Sequence, residues 1–377
     1  MKFTNYLLQA AALLSSQAFA ETFIIDNDTP TALQFLLPLA AGKKVAGITT
    51  NIGDYLVEGA TYEAAVALKH GNLTSCIPVY QGAATPLVRT NDTYQLWQQL
   101  YGPIYWQGCW AADYQDPNPK GEKYVYNDTV TATQWLIDYV KNANDSVTIV
   151  AAGTMTNLAM ALVQYPDFAK NVKLVIMGGY IDGQIAQATG GDFINDMYTD
   201  FNLMFDPEAA QTALSANWKE LVVVGNISSE LFPTQDLYDE LIEKSGGLTK
   251  LSNTTELQYV KDTVGNGTLP SFNLPYWDEV AAAVAANPQL VEESYEAYVS
   301  IDTSFSSPFY GNMRIVPGDL RAKRGVATKK ATFVTKINTD KFYDAIVNAL
   351  VRDWTDYCKT GKTQNLSLIH ISEPTRH

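Results

Sequence analysis

Short, almost purely apolar runs recur along this chain, each followed by a polar cluster and then by a helix-patterned stretch. Residues 147–151 (VTIVA), 172–177 (VKLVIM) and 221–224 (LVVV) show no clean alternation of apolar and polar positions. A strand that is apolar on both sides needs cover on both sides, and a parallel sheet sandwiched between helices supplies it. Further strands are expected at 43–49 and 77–80, and before Asp26, where Phe23-Ile24-Ile25 precedes the acid. Helices are expected at 55–70, at 131–141, from Thr156-Asn157, from Asp206-Pro207-Glu208 and at 234–244. In the fourth of these, Asp206 suits an N-cap, Pro207 the first helical position and Glu208 the positive end of the helix dipole. The expected fold is α/β, a mostly parallel open sheet with helices on both faces. Neither an internal repeat nor a low-complexity linker interrupts it, so residues 21–365 read as a single domain.

Open parallel sheets bind ligands at the carboxyl ends of their strands. The clusters to search are therefore Asp26/Asp28, Asn51/Asp54, Thr154/Thr156/Asn157 and Asn226. Asp26 and Asp28 are the most pointed of these. Two acids at i, i+2 leave the mouth of a strand on one side, and they repel unless a cation or a proton lies between them. The plainer reading of an isolated pair of this kind is a polar loop.

Composition narrows the chemistry. A net charge of -14 argues against a nucleic-acid polymer as partner, because phosphate backbones are met by Lys/Arg stripes. The chain holds three histidines, His70, His370 and His377. His70 closes the helix expected at 55–70, where a cation suits the dipole, and the other two fall in the last residues. Histidine-activated nucleophiles and His-rich zinc sites are thereby set aside. Cys76, Cys109 and Cys358 form no C-x-x-C motif, and one disulfide with one free thiol is an open pairing.

Both ends call for trimming. Residues 1–20 combine a basic start, a short apolar stretch and Ala18-Phe19-Ala20 before Glu21, the pattern of a secretory signal peptide. Secreted, extracellular localisation is the expectation, with no membrane association after cleavage. Sequons at Asn72, Asn91, Asn127, Asn144, Asn226, Asn253 and Asn266 accord with a glycoprotein. Residues 366–377 resemble a translated sequencing adapter; a disordered tail is the other reading, and either is left out of the fold.

Several motifs occur together in order: Asp26-Asn27-Asp28, Gly153-Thr154-Met155-Thr156-Asn157-Leu158-Ala159, Met177-Gly178-Gly179, Asp200-Phe201-Asn202 leading into Asp206-Pro207-Glu208, and Trp277-Asp278-Glu279-Val280-Ala281. In this combination the chain resembles the inosine-uridine-preferring nucleoside hydrolases, with a Rossmann-like fold, and especially a secreted fungal-type branch. The resemblance implies hydrolysis of the N-glycosidic bond of ribonucleosides, feeding purine and pyrimidine salvage, with one Ca2+ ion at the pocket floor. It implies Asp28 as metal ligand and general base, Asp278 as a second carboxylate ligand and Thr156 as a backbone-carbonyl ligand. Asn202 would bind ribose hydroxyls, Asp200 stands where the family commonly carries Glu, and Asp26 would support the site. The implied partner is a small-molecule nucleoside, and a homo-oligomer is left open.

Two departures from the family pattern stand out. The usual motif continues into a pair of adjacent aspartates, whereas Thr29-Pro30-Thr31-Ala32-Leu33 follows here. Asp54, after the second strand, is a candidate replacement carboxylate, and Thr29 or Thr31 could fill the space. Trp277 occupies a position that in some members is a His protonating the leaving base; an indole stacks but is no acid. The aromatic-rich stretch from Trp97 to Tyr126 reads as an ordered loop, serving either as a lid over the substrate or as a satellite core. The alternatives to the hydrolase are a catalytically impaired nucleoside- or sugar-binding protein on the same fold, and a hydrolase of a related N- or O-glycoside.

Overall fold

The computed structural model describes residues 21–102, 104, 106–179, 200–245, 274–316, 329–361 and 364–365. The expected leader, the adapter-like tail and the sequons at Asn253 and Asn266 lie outside the described residues.

Six strands follow the apolar runs: β1 (Thr22–Asn27), β2 (Lys44–Thr50), β3 (Val79–Gln81), β4 (Val147–Ala151), β5 (Val172–Met177) and β6 (Glu220–Val224). Three more, β7 (Val291–Ile301), β8 (Met313–Val316) and β9 (Lys329–Ile337), complete a nine-stranded sheet of order β3-β2-β1-β4-β5-β6-β9-β7-β8. All neighbours from β3 to β9 are parallel, and only β7 pairs antiparallel, with β8 and β9. From β1 the chain winds outward through β2 and β3, then returns to β4 on the other side of β1. The crevice above β1 and β4 is thus a topological switch point, where such sheets place their ligand sites.

The helices are α1 (Ala32–Ala40), α2 (Val57–His70), α3 (Asn91–Tyr101), α4 (Ala132–Asn142), α5 (Thr156–Gln164), α6 (Phe201–Phe205), α7 (Pro207–Ser215), α8 (Gln235–Ser245), α9 (Trp277–Ala286), α10 (Thr339–Leu350) and the one-turn α11 (Tyr357–Thr360). They cover both faces of the sheet. Phe23, Ile25, Val150 and Val175 pack with α1, α9 and α10, whereas Ile24, Ile149, Leu174 and Ile176 pack with α5 and α7. This explains the uninterrupted apolar runs: successive residues face opposite cores, and each fully buried Ile or Leu contributes about 1.5–3 kcal/mol.

The elements read from the sequence are present, with ends displaced by a few residues where no cap marks them. The antiparallel β7–β8–β9 extension and the helices α1, α3, α6, α9 and α10 were not foreseen. Ala32 and Leu33, at the start of α1, are both buried in the core on the α9 side, which accounts for their apolar character. The aromatic-rich stretch divides. Trp97 and Tyr101 belong to α3, which Thr90 and Thr93 start with a reciprocal capping box. Trp97 is buried with Tyr94, Ile104 and Tyr310, and Trp110 stacks on Phe205 at 3.9 Å. Much of the stretch is therefore a satellite core, and among its described aromatics Trp106 and Tyr114 reach the cavity described below.

Cys76 and Cys358 form a disulfide across 282 residues, with Cα atoms 5.4 Å apart, and Cys109 is a buried free thiol. The bridge ties the segment after α10 to the loop after α2. Asn72, Asn91 and Asn144 are exposed, and Asn127 and Asn226 are half-buried.

Candidate active site

β1 ends in Asp26-Asn27-Asp28, and its parallel register with β2 sets Asp26 beside Thr49. Asp26 is fully buried and accepts from Thr49 Oγ1 (2.5 Å), Asn157 Nδ2 (2.8 Å) and Asn51 Nδ2 (3.1 Å). Burial pushes its carboxyl up to about 6 against the pull of these donors. Asn157 also donates to Thr50 O and accepts from Ala83 N, locking the ends of β2 and β3 to the start of α5.

Asp28 lies next to this network but is held differently. Its Oδ2 accepts the backbone N–H of Asp54 (2.8 Å), and a Cβ placed on Gly53 would fall 1.8 Å from that oxygen. Gly53 is thus the residue whose lack of side chain lets the β2 loop close over the carboxylate. Asp28 is 1% exposed, just beneath the cavity wall, whereas Asp54 lines the cavity itself. Burial and then the charge of Asp54 hold the Asp28 carboxyl well above its ordinary range. Burial likewise takes Asp54 to about 6, although the Trp106 indole N–H donates to its Oδ1 at 2.5 Å.

The third part comes from α9. Asp278 and Glu279 occupy its first turn, where the helix dipole favours negative charge. Asp278 Oδ2 accepts from both Asn27 Nδ2 (3.0 Å) and Gln34 Nε2 (2.9 Å), and Asn27 Nδ2 also meets Gln34 Oε1. Glu279 accepts from Thr31 Oγ1 at 2.7 Å. Burial, then the charge of Glu279, then those of Asp28 and Asp54 push the Asp278 carboxyl well above its usual range.

The cavity bounded by these loops measures about 860 Å³. Its walls include Thr29, Thr31, Leu33, Asp54, Trp106 and Asp278, together with Pro233, Tyr238 and Leu350. Trp106 and Trp277 meet edge to face, 6.1 Å between centroids, and Trp277 Nε1 donates to Ser229 Oγ.

Not every expected site residue lies at this cavity. Thr156 is the first residue of α5; its hydroxyl donates to Asp206 Oδ2 (2.7 Å), and its carbonyl sits in the helix's first turn. Asp200 caps α6 through Leu203 N and also accepts from Gly179 N. Asn202 Nδ2 donates to Met177 O at the end of β5. None of the three is among the described residues lining the cavity. Conversely, the amides of Asn27 and Gln34 escaped the sequence reading. Gln34 lies in α1, six residues past Asp28, and only the tertiary fold carries it to Asp278.

Among the described residues no three His, Cys, Asp or Glu side chains converge into a ready metal cluster. The donor chemistry nevertheless fits a hard divalent cation. Asp28, Asp54 and Asp278 are oxygen donors; the charge of Asp54 raises Asp28, the charges of both raise Asp278, and none has a Lys or Arg in the ion pairs described.

The family model described as "Inosine-uridine preferring nucleoside hydrolase" matches residues 23–344. The chain belongs to this family. It is an N-glycosyl hydrolase, and ribonucleoside hydrolysis is the activity that family and fold support. The hydrolase is 52% identical to the "uncharacterized protein C800.11" of Schizosaccharomyces pombe over 94% of this chain and 92% of that protein. It is 31% identical to the "non-specific ribonucleoside hydrolase RihC" of Salmonella typhimurium, over 52% of this chain and 56% of that one. Among solved structures, an inosine-uridine preferring nucleoside hydrolase from Bacillus anthracis shares the fold, with a TM-score of 0.61 at 18% identity over 88% of this chain and 99% of that one.

Proposed function

We propose that this hydrolase is a secreted, metal-dependent enzyme of a fungal-type branch that releases the base and ribose from extracellular ribonucleosides, supplying salvage. The observation that carries the reading is the pair Asp54 and Asp278 on the wall of a cavity flanked by two tryptophans, with Asp28 held beside Asp54 at the β1 switch point. The Trp106 and Trp277 rings offer apolar faces to a nucleobase. Asp54 and Asp278 offer acceptors to ribose hydroxyls and negative charge to the oxocarbenium-like sugar of the transition state. Asp28, beside the cavity wall at Asp54, takes a proton from the attacking water. Asp28, Asp54 and Asp278 would hold a Ca2+ ion. When bound, calcium supplies the positive charge that acidifies the water and grips the ribose diol.

Secretion is supported by the leader-like residues 1–20, by the Cys76–Cys358 disulfide, which suits an oxidising compartment, and by exposed sequons. The S. pombe relative supports the fungal-type branch.

The test is base release from a panel of purine and pyrimidine ribonucleosides, with calcium and after chelation. Asp28→Asn is expected to lower kcat by about 10²–10⁴-fold. Asp54→Asn is the paired variant, because Asp54 also reaches the cavity, and the larger loss identifies the base. Tight nucleoside binding with no base release in calcium overturns the enzyme in favour of a binding protein.

A further inference from the structure

Five carboxylates, Asp54, Glu63, Asp113, Asp278 and Glu279, line the same cavity, and three of them, Glu63, Asp113 and Glu279, are not among the calcium ligands proposed above. Among the described residues no Lys, Arg or His lines it. His70 is the single histidine between residues 21 and 365, and it sits exposed at the far end of α2. The aromatic wall is anchored, with the Trp106 indole tied to Asp54 and the Trp277 indole tied to Ser229. The cavity therefore joins a negative field to π faces, the two features that attract an organic cation. It offers no imidazolium to protonate a departing neutral base.

Resting on the hydrolase reading, we propose that the preferred substrates are cationic N-ribosides of the pyridinium type, whose aglycone needs no proton to leave. The balance is simple. The C1′–N bond breaks with both electrons going to the ring nitrogen, and the pyridinium departs as a neutral pyridine. The water oxygen forms the new bond to C1′, and its surplus proton passes to the Asp28 carboxylate and then to solvent. The substrate's positive charge sits between carboxylates and tryptophan faces in the ground state. In the transition state that charge moves onto the sugar.

The experiment compares kcat/KM for nicotinamide riboside, uridine and inosine in calcium. The pyridinium riboside is expected to exceed both neutral nucleosides by at least about tenfold. Because its glycosidic bond is also intrinsically weaker, recognition is read separately. The N1-methylnicotinamide cation is expected to inhibit competitively at about tenfold lower concentration than neutral nicotinamide, with the gap shrinking at high salt. Asp113→Asn and Glu63→Gln are expected to narrow the kcat/KM ratio by roughly threefold each. Faster cleavage of uridine or inosine, or equal inhibition by the cation and its neutral counterpart, overturns the cation preference while leaving the hydrolase intact. If none of the three ribosides is cleaved, the underlying hydrolase reading fails and this one with it.

Discussion

Two polar networks sit side by side at the carboxyl ends of the strands, and they treat their acids in opposite ways. In the rear network Asp26 accepts from three neutral side chains, and Asp206 accepts from Thr156 Oγ1, Leu87 N and Ala209 N. Thr154 bridges the two by donating to Asn51 and receiving from Thr156. Neither acid lines the cavity, and each is enclosed by donors. In the front network Asp28, Asp54 and Asp278 have fewer donors; the charge of Asp54 raises Asp28, and the charges of both raise Asp278. Neutral donors around a carboxylate make a strut. Carboxylates facing each other beside a cavity leave charge that only a cation, a proton or a polar substrate can balance.

This contrast predicts that front substitutions change activity and rear substitutions change stability. Asp278→Asn is expected to reduce kcat/KM by about 10²–10³-fold while leaving Tm unchanged or raised, since it removes a repulsive charge. A matching loss of Tm would erase the distinction. Asp206→Ala removes an N-cap and orphans the Thr156 hydroxyl and the Leu87 N–H, so it is expected to cost about 3 kcal/mol in denaturant unfolding. The kcat/KM of its folded fraction should remain close to that of the parent protein, and a collapse there would make the rear network catalytic.

Gln34→Ala lies on the border. It releases one of the two amides on Asp278 Oδ2 and is expected to weaken calcium binding by about tenfold, read by calorimetry independently of turnover. Unchanged calcium affinity would show that the amide clamp only fills space.

The smallest effect concerns Cys109, packed with Ile52 and Phe205 behind the front acids. Burial, reinforced by the charges of Asp28 and Asp54, pushes its thiol up to about 12. The folded thiol keeps its proton where an unfolded one would lose it, so the group contributes stability below the unfolded value that is lost as pH rises toward about 12. Alkylation at neutral pH should therefore be negligible until the protein unfolds, and rapid labelling of the native state would contradict the enclosed front network.

How much was legible in advance varies with the range of the interaction. β4 and β5 coincide with their apolar runs because burial on both faces is written locally, residue by residue. The start of α7 was legible for a similar reason, since Asp206-Pro207-Glu208 carries its own cap. The ends of β2 and β3 were displaced because they are set by pairing with neighbours. Trp97 was read as loop because its apolar pattern serves a small cluster with Tyr310, more than two hundred positions away. Cys76–Cys358 could not be chosen among the possible pairings because the spacing of three cysteines holds no distance information.

The chain's sequence by itself determined the class of fold and the family, and marked Asp26 and Asp28 as acids at a strand end, with Asp278 implied by the family motif. These follow from local burial pattern and from motif order. Only the tertiary structure decided which acids share a cavity. It turned Asp26 into an enclosed strut, brought Asp54 to the wall in front of Asp28, and set the Asn27 and Gln34 amides on Asp278. Those outcomes depend on strand register and on the packing of α1 against α9, which join residues some 250 positions apart.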